Sequence, residues 1–508
     1  MPEPYIKKIL RARVYDVAHE TPLDKASRLS GRLNNRVFLK REDLQPVFSF
    51  KIRGAYNCMF LLSQSDNPPA GVIAASAGNH AQGVALSAQT LNMKATIVMP
   101  ETTPRIKVQA VHQLQATVIL FGDTYDDAYQ HAQKLAKLRH LAFIHPYDDP
   151  DVIAGQGTVA MEVLRQHSED IEAIFVPVGG GGLIAGIAAY LRCIRPGVRI
   201  IGVEPEDSPC LQKALAADER VILDQVGLFA DGVAVKQIGE EPFRIARCCV
   251  DEVILVNADE LCAAIKDIFD DTRSIAEPAG ALAVAGLKKY VEANDCQDKS
   301  LVAIVSGANV NFDRLRHIAE RAELGERRET LLAVTIPETP GSFLKFCQLL
   351  GKRGITEFNY RYSSHQDAHV FVGLQMQQGH EERDLVMDRL QGAGYAVLDM
   401  TDNEMGKLHI RHLVGGHSRE VADEQLYRFE FPERPGALLY FLQSMGERWN
   451  ISLFHYRNHG ADYGRVLVGI QVPDRDKKPF MHFLQALGYT YYRETDNPAS
   501  ALFLKSGG

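Results

Sequence analysis

The chain has 508 residues, enough by length for about three domains. Hydrophobic residues make up 46% and charged residues 24%, the balance of a soluble globular protein with cores of normal size. Lys and Arg total 56 against 64 acidic residues, and this net charge of -8 argues against nucleic acid as the main partner.

No apolar run reaches membrane-spanning length, so no membrane partner is expected. The opening "MPEPYIKKILRARVYD" is basic but lacks the apolar segment of a secretory signal. Its Glu3 and Asp16, and its lack of serine, also disfavour a transit peptide. The eight cysteines are scattered, with one adjacent pair (Cys248, Cys249) and no C-x-x-C spacing. That usage fits a reduced, cytoplasmic protein without a disulfide framework or a zinc site.

"FSFKIRGAYN" (48–57) places Lys51 after two aromatics and before an Arg-Gly pair, at the start of a helix. A surface lysine needs no such setting. A Schiff-base lysine does, because burial beside apolar groups lowers its pKa and frees the amine as a nucleophile.

Seven β-branched runs follow: 71–76, 95–100, 117–122, 173–182, 199–205, 251–257 and 301–309, separated by helix-length segments. Strands this apolar, alternating with helices, predict parallel sheets covered on both faces, with ligands at the strands' carboxyl ends. Ser76, Gly179–Gly182, Glu204 and Ser306 all fall at such ends.

In "AASAGNHAQGVAL", Ser76 ends a strand, Gly78 and Asn79 turn, and a helix follows from about His80. Such a helix start suits a carboxylate, but on this segment alone an ordinary Asn/Ser cap is the favoured reading. In "PVGGGGL", four glycines join an apolar strand to a helix, where converging N–H groups and the helix dipole favour a phosphate. No Walker A Lys-Ser/Thr follows. The spacing Gly180-x-Gly182-x-x-Ala185, with Glu204 about 20 residues on, also meets the dinucleotide pattern, so a nicotinamide site is a rival. In "IVSGANVNF", Ser306 sits at a strand end, where a lone serine is most often a turn residue.

The charged helical segment 312–330 reads as a connector, and the pattern then changes. "LLAVTIPETPGSFLKFCQLLGKRGITEFNYRYS" from 331 is answered by "LYRFEFPERPGALLYFLQSMGERWNISLFHYRN" from 426, and "HVFVGLQM" (369–376) by "RVLVGIQV" (465–472). This is an internal duplication, strand-turn-helix-strand-strand in each copy. It carries no metal-ligand cluster and no nucleophile-base pair, which suggests ligand sensing.

"SFKIRGA", "SAGNHAQG", "VPVGGGGL" and "SGAN", in this order, resemble the β-family (fold type II) of pyridoxal-phosphate enzymes over most of residues 1–320. The whole chain, through "TIPETPGSFLKFCQLLG", "TEFNYRY", "RFEFPERPGALL" and "NISLFHYRNHGADYGRV", is similar to the biosynthetic threonine ammonia-lyases, with their double ACT-like regulatory tail. The resemblance implies an α/β fold: a two-lobed fold type II catalytic region with parallel sheets, then duplicated α+β ACT-like subdomains. The implied boundaries are 1–320 for the catalytic region, with a small lobe at about 42–146, a connector at 321–330, and regulatory subdomains at 331–410 and 420–508.

It implies pyridoxal 5'-phosphate as cofactor and Lys51 as the lysine that bonds it. Gly179, Gly180, Gly181, Gly182 and Leu183 would bind the phosphate, Asn79 the ring oxygen, and Ser306 would face the ring nitrogen. Phe50 would pack beside the ring. Ser76, Ala77, Gly78, Asn79 and His80 would cradle the substrate carboxylate. A serine at the ring nitrogen makes a milder electron sink than an aspartate, which favours loss of a β-leaving group. Lys51 is then placed to take the α-proton, and the products are an oxo acid and ammonia. Racemases of the family carry a serine at the position of Ala77, which has no proton to give the opposite face.

Glu204 matches a cation ligand of some relatives, but Cys210 stands where a second carboxylate is needed. The alternative for Glu204 is a solvated strand-end carboxylate, and no metal site is assigned. The implied activity is deamination of L-threonine to 2-oxobutanoate, with isoleucine as inhibitor, valine opposing it, and a homotetrameric assembly. Effector contacts are expected around Phe358, Tyr360 and Arg361, and around Phe454, Tyr456 and Arg457. Aromatic surface there suits a branched side chain and arginine a carboxylate, while core packing is the competing explanation for the rings. A β-replacement enzyme or serine racemase, a nicotinamide oxidoreductase, and a catalytically dead amino-acid sensor are the alternatives.

Overall fold

A computed structural model describes residues 3–122, 124–227, 229–312, 314–361, 367–377, 379–403, 406–407, 410–412, 421–432, 436–457, 463–497 and 504. Contacts divide the chain into two compact units, Met1–Gly325 and Glu326–Gly508. Among the described residues no helix is long and apolar enough to cross a membrane.

Among the described residues, the first unit holds two sheets. The larger runs Leu23–Lys25, Arg36–Arg41, Ser300–Val305, Ala173–Pro177, Arg199–Pro205, Glu252–Val256 across its width. Only the edge pair Leu23–Lys25 with Arg36–Arg41 is antiparallel. Its central strands Ser300–Val305 and Ala173–Pro177 are buried along their whole length, as expected where helices cover both faces. One face packs on Ile153, Ile184 and Ile187, and the other on Leu282, Ile265 and Tyr290. The smaller sheet is wholly parallel, ordered Thr117–Leu120, Ala95–Met99, Val72–Ala75, Ala142–Phe143.

All seven runs read from the sequence form strands. Three strands lacked a readable signal. Leu23–Lys25 and Ala142–Phe143 are too short to show a period. Arg36–Arg41 reads as charged, because its buried Lys40 and Arg41 are neutralised by carboxylates distant in sequence or on the following turn.

The segment expected to be a connector is mostly packed structure. Helix Arg314–Gly325 buries Ile318 and Ala322, one turn apart, and belongs to the first unit. It lies against helix Ala258–Thr272, with Lys266 Nζ 2.6 Å from Glu323 Oε1. The next strand begins at Glu329, so only 326–328 join them.

Among the described residues, the second unit is one eight-stranded sheet built from both copies. Each copy adds a helix and a strand to the motif read from sequence, giving β-α-β-β-α-β. The first copy ends with Gly379–Gly392 and Ala396–Asp399, and the second with Lys477–Leu487 and Thr490–Arg493. The copies join edge to edge through the antiparallel pair Ile355–Arg361 and Asn450–Arg457.

This junction corrects the expectation of an aromatic effector surface. Phe358 pairs with Tyr456 and Tyr360 with Phe454, so all four rings project to the helix-covered face. All four are buried in one hydrophobic core, with Phe358 and Phe454 in edge-to-face contact at 5.1 Å between ring centroids. The rings are core because strand alternation places every second residue of both segments on the same face. The side chains of Arg361 and Arg457 lie outside the described residues.

Candidate active site

Lys51 is the first residue of helix Lys51–Ser63. The cap residue is Phe50, whose side chain makes no capping bond, and the first turn has no acidic residue. A cation at a helix N-terminus opposes the dipole. Burial pushes the Lys51 amine down to about 8, while Glu277 acts in the opposite sense. Its Nζ donates to Pro146 O at 3.0 Å and lies 5.2 Å from the Phe50 ring centroid. Two nearby histidines are held neutral. Burial pushes His80 to about 3 and His145 to about 4, the charge of Lys51 adding to both.

Phe50 N donates to Ser306 O at 3.2 Å, and Ser49 forms a lone β-bridge with Gly307. These bonds bring the Lys51 helix to the carboxyl end of strand Ser300–Val305. Ser306 is buried, and its hydroxyl reaches toward Ala279 O at 3.4 Å.

Ser76 follows strand Val72–Ala75, and its Oγ accepts Gly78 N at 3.2 Å. Helix Asn79–Thr90 then begins with Gly78 as cap. The Ser76 side chain thus closes the turn before the helix. His80 is committed as well: its Nε2 is 2.9 Å from Ile144 O and, with the ring neutral, donates to it. Ala77 presents only a methyl group.

Asn79 is held at both ends of its amide. Its Nδ2 donates to Glu277 Oε1 at 2.6 Å, and its Oδ1 accepts Asn309 Nδ2 at 2.6 Å. Asn309 Nδ2 also donates to Val47 O at 2.9 Å. The chain of partners sets which end of Asn79 is nitrogen and leaves one of its N–H bonds uncommitted among the described residues. Burial pushes Glu277 up to about 7, against the hydrogen bond from Asn79. Glu277 and Asn309 were missed in the sequence. Glu277 stands before Pro278 at the start of helix Pro278–Asn294, where it looks like a cap, yet its side chain makes no capping bond. Asn309 lies inside the quoted "SGAN" motif without a role.

The glycine loop lies between strand Ala173–Pro177 and helix Gly182–Ile194. Gly181 has φ 89°, a conformation that favours glycine. A Cβ on Gly180 would fall 2.1 Å from the Tyr147 ring, and one on Gly179 2.8 Å from the Val233 backbone. None of the described backbone hydrogen bonds uses the N–H of Gly179, Gly180, Gly181, Gly182 or Leu183. Five amides at a helix N-terminus, in a loop that tolerates no side chain, fit a phosphate group. With Lys51 and Asn79 on the same side of the strands, the residues present fit a phosphorylated pyridine aldehyde.

The segment Ile144–Asp148 straps these parts together. It accepts His80 and Lys51 through Ile144 O and Pro146 O, and lays Tyr147 on the glycine loop. It then caps helix Glu240–Cys249, where the Asp148 carboxylate accepts the N–H groups of Glu240 and Glu241, both at 2.9 Å.

Glu204 overturns the reading of a solvated strand-end carboxylate, because it is fully buried. Its carboxylate caps helix Cys210–Ala217, accepting Leu211 N at 2.7 Å and Gln212 N at 2.9 Å. Burial pushes it up to about 7. Cys210 Sγ lies 3.3 Å from Glu204 Oε1 and 3.2 Å from Gly179 O, linking this cap to the glycine loop. Sequence spacing could not show that the backbone turns its amides toward the carboxylate.

Comparison with known proteins agrees with this geometry. The family described as pyridoxal-phosphate dependent enzyme matches residues 14–307. The C-terminal regulatory domain of threonine dehydratase matches twice, at 320–410 and 415–504. The chain is 58% identical over 503 residues to L-threonine dehydratase biosynthetic IlvA of Burkholderia multivorans, covering 98% of this chain and 99% of that protein. Against the Escherichia coli protein of the same name it is 52% identical over 500 residues, covering 98% and 97%. Among solved structures, the processed form of threonine deaminase isoform 2 from Solanum lycopersicum matches with TM-score 0.62 and 48% identity, covering 64% of this chain and 88% of that one. Maize serine racemase matches with TM-score 0.57 and 31% identity, covering 61% and 95%.

Proposed function

The chain belongs to the pyridoxal-phosphate-dependent enzymes and, within them, to the threonine dehydratases that carry a C-terminal regulatory domain, and from that premise we propose that it converts L-threonine to 2-oxobutanoate and ammonia as the entry step of isoleucine synthesis. Isoleucine inhibits it through the duplicated unit, and valine opposes isoleucine. Assembly as a homotetramer is part of the same reading.

The observation that carries the proposal is Lys51, a buried amine with its pKa lowered to about 8, joined through the segment Ile144–Asp148 to a glycine loop whose amides make no described backbone hydrogen bond. Pyridoxal phosphate, when bound, supplies an electron sink that acidifies the α-C–H bond of an amino acid. The residues of this chain do the rest. The amides of Gly179 to Leu183 would hold the phosphate at the helix N-terminus. The uncommitted N–H of Asn79 would serve the ring oxygen, and Phe50 would flank the ring. Ser306, whose hydroxyl reaches toward Ala279 O, would face the ring nitrogen.

The backbone amides of Ala77, Asn79 and His80 would receive the substrate carboxylate, since Ser76 N is bonded to Val98 O, Gly78 N to Ser76 Oγ and the His80 ring to Ile144 O. Lys51 takes the α-proton at its amine nitrogen. Loss of that proton and of the β-hydroxyl removes water and leaves an enamine. Hydrolysis returns one water and releases ammonia and the oxo acid. Ala77 offers no proton to the opposite face of the α-carbon, which supports elimination over racemisation.

The test is the visible spectrum of the purified protein before and after L-threonine, with a ketoacid assay on the same sample. A yellow band that changes as 2-oxobutanoate appears is the expected result. A colourless protein, inert even after pyridoxal phosphate is supplied, would overturn the reading. Lys51→Ala should abolish turnover while leaving the circular dichroism of the fold unchanged. Deleting residues 326–508 should leave a deaminase insensitive to isoleucine. Inhibition retained by a soluble truncated enzyme would remove the sensing assignment.

A further inference from the structure

The Arg-Gly pair after Lys51 has no part in the chemistry above, yet Arg53 is among the largest fully buried side chains of the described residues. It lies in the first turn of the Lys51 helix, a turn with two basic residues, no acid and no side-chain cap. Such a start is electrostatically and conformationally weak. Its guanidinium is nonetheless fully engaged. Nε and Nη2 form a fork on Glu42, both at 2.7 Å. Nη1 and Nη2 form a second fork on Glu162, at 2.6 and 2.9 Å. Thr158 Oγ1 and His19 O complete the shell at 3.1 and 3.2 Å.

Lys40, also fully buried, completes the cluster. Its Nζ donates to Glu162 Oε2 at 2.6 Å, Thr21 O at 2.5 Å and Gln166 Oε1 at 3.1 Å. Lys40 and Arg53 balance Glu42 and Glu162, and the four groups hold a strand, a turn, the Lys51 helix and helix Pro150–Gln166 at one point. Glycines allow the close approach. A Cβ on Gly54 would fall 2.6 Å from Val152 O, and one on Gly155 2.6 Å from Arg53 O. On the other side, a Cβ on Gly83 would fall 3.2 Å from the carbonyl carbon of Lys51.

Buried ion clusters add little stability over apolar packing of the same shape. What this one does supply is a fixed place for an uncapped helix start. We propose that Arg53 is a positioning residue: its double fork on Glu42 and Glu162 sets the first helical turn and so the position of the Lys51 amine. The inference rests on Lys51 being the lysine that bonds the cofactor.

The experiment is made on the full-length holoenzyme, with Lys51→Ala as the reference for that reading. A Lys51→Ala chain with the wild-type visible band would remove the reading and this inference together. Given its loss, Arg53→Lys keeps the charge but cannot make two forks. Per bound cofactor, it should lower kcat by about 10- to 100-fold with KM within about threefold, the size of effect a misplacement near 1 Å produces. It should also alter the induced circular dichroism of the visible band, which reads how the bound group is held. A role in stability alone would lower Tm while leaving kcat and the induced signal per bound cofactor unchanged, and that result would overturn the proposal. Where Arg53→Lys does not fold, Thr158→Val decides. It removes one bond to the guanidinium and should shift kcat and the induced signal in the same direction, whereas wild-type values for both would overturn the proposal.

Discussion

The side-chain amide of Asn79 donates to the carboxylate of Glu277 across 2.6 Å, joining a helix start in the small sheet's half of the first unit to a helix start in the large sheet's half. Glu277 is 6% exposed, and a Cβ on Gly307 would lie 2.5 Å from its Oε1. The bond therefore sits in a dry, tightly packed spot, and the protonation of Glu277 follows from it.

Burial raises the pKa of Glu277 from 4.5 to about 7. Between those values the folded chain binds a proton that the unfolded chain has released. Its contribution to stability is full below about pH 4.5 and is lost as pH rises through 7, by on the order of 3 kcal/mol. In the cofactor-free protein, Glu277→Gln should remove this slope. Thermal melts of the two proteins from pH 4.5 to 8 check it, and parallel curves would refute it.

The Lys51 amine, lowered to about 8 by burial, must be neutral to attack a carbonyl. Uptake of pyridoxal phosphate by the cofactor-free protein should quicken about tenfold per pH unit well below pH 8 and level off above it. Stopped-flow absorbance gives the profile. A midpoint near 10 would mean that the amine is not desolvated.

Gly180→Ala should place a methyl group inside the Tyr147 ring, since a Cβ there lies 2.1 Å from it. Overpacking of this kind costs about 1–3 kcal/mol. A second change, Tyr147→Ala, should recover that stability. Melting of the single and double variants measures the coupling, and additive losses would show that the ring simply swings aside.

Phe358 is core in the second unit, in contact with Phe343, Phe346 and Phe454. Phe358→Ala should therefore cost about 3–5 kcal/mol of that unit's stability. Denaturant melts of the wild type and variant decide. A weakened isoleucine response with unchanged stability would return the ring to the effector site.

Much of the catalytic half was legible because its signals are local. A run of Val and Ile marks a buried parallel strand, and glycines or small polar residues at its end mark a loop that must approach something closely. Lys51 at the helix start and the strand-end positions of Ser76, Gly179 and Ser306 follow from such short stretches. The duplication was legible for the same reason, since two copies of one pattern need no coordinates to be compared. The final helix and strand of each copy were missed, although "LQGAGY" (390–395) in the first copy is answered by "LQALGY" (484–489) in the second.

The sequence alone determined the strand-helix alternation, the motifs with their order, and the doubled tail, since each is written in neighbouring residues. Tertiary structure alone decided which distant groups meet. Glu277 turns to Asn79 instead of capping its own helix, Glu204 caps Cys210–Ala217, Arg53 joins Glu42 and Glu162, and the aromatics of the second unit turn into the core. A buried charge or ring takes its role from the partner that compensates its desolvation, and that partner can lie anywhere in the chain.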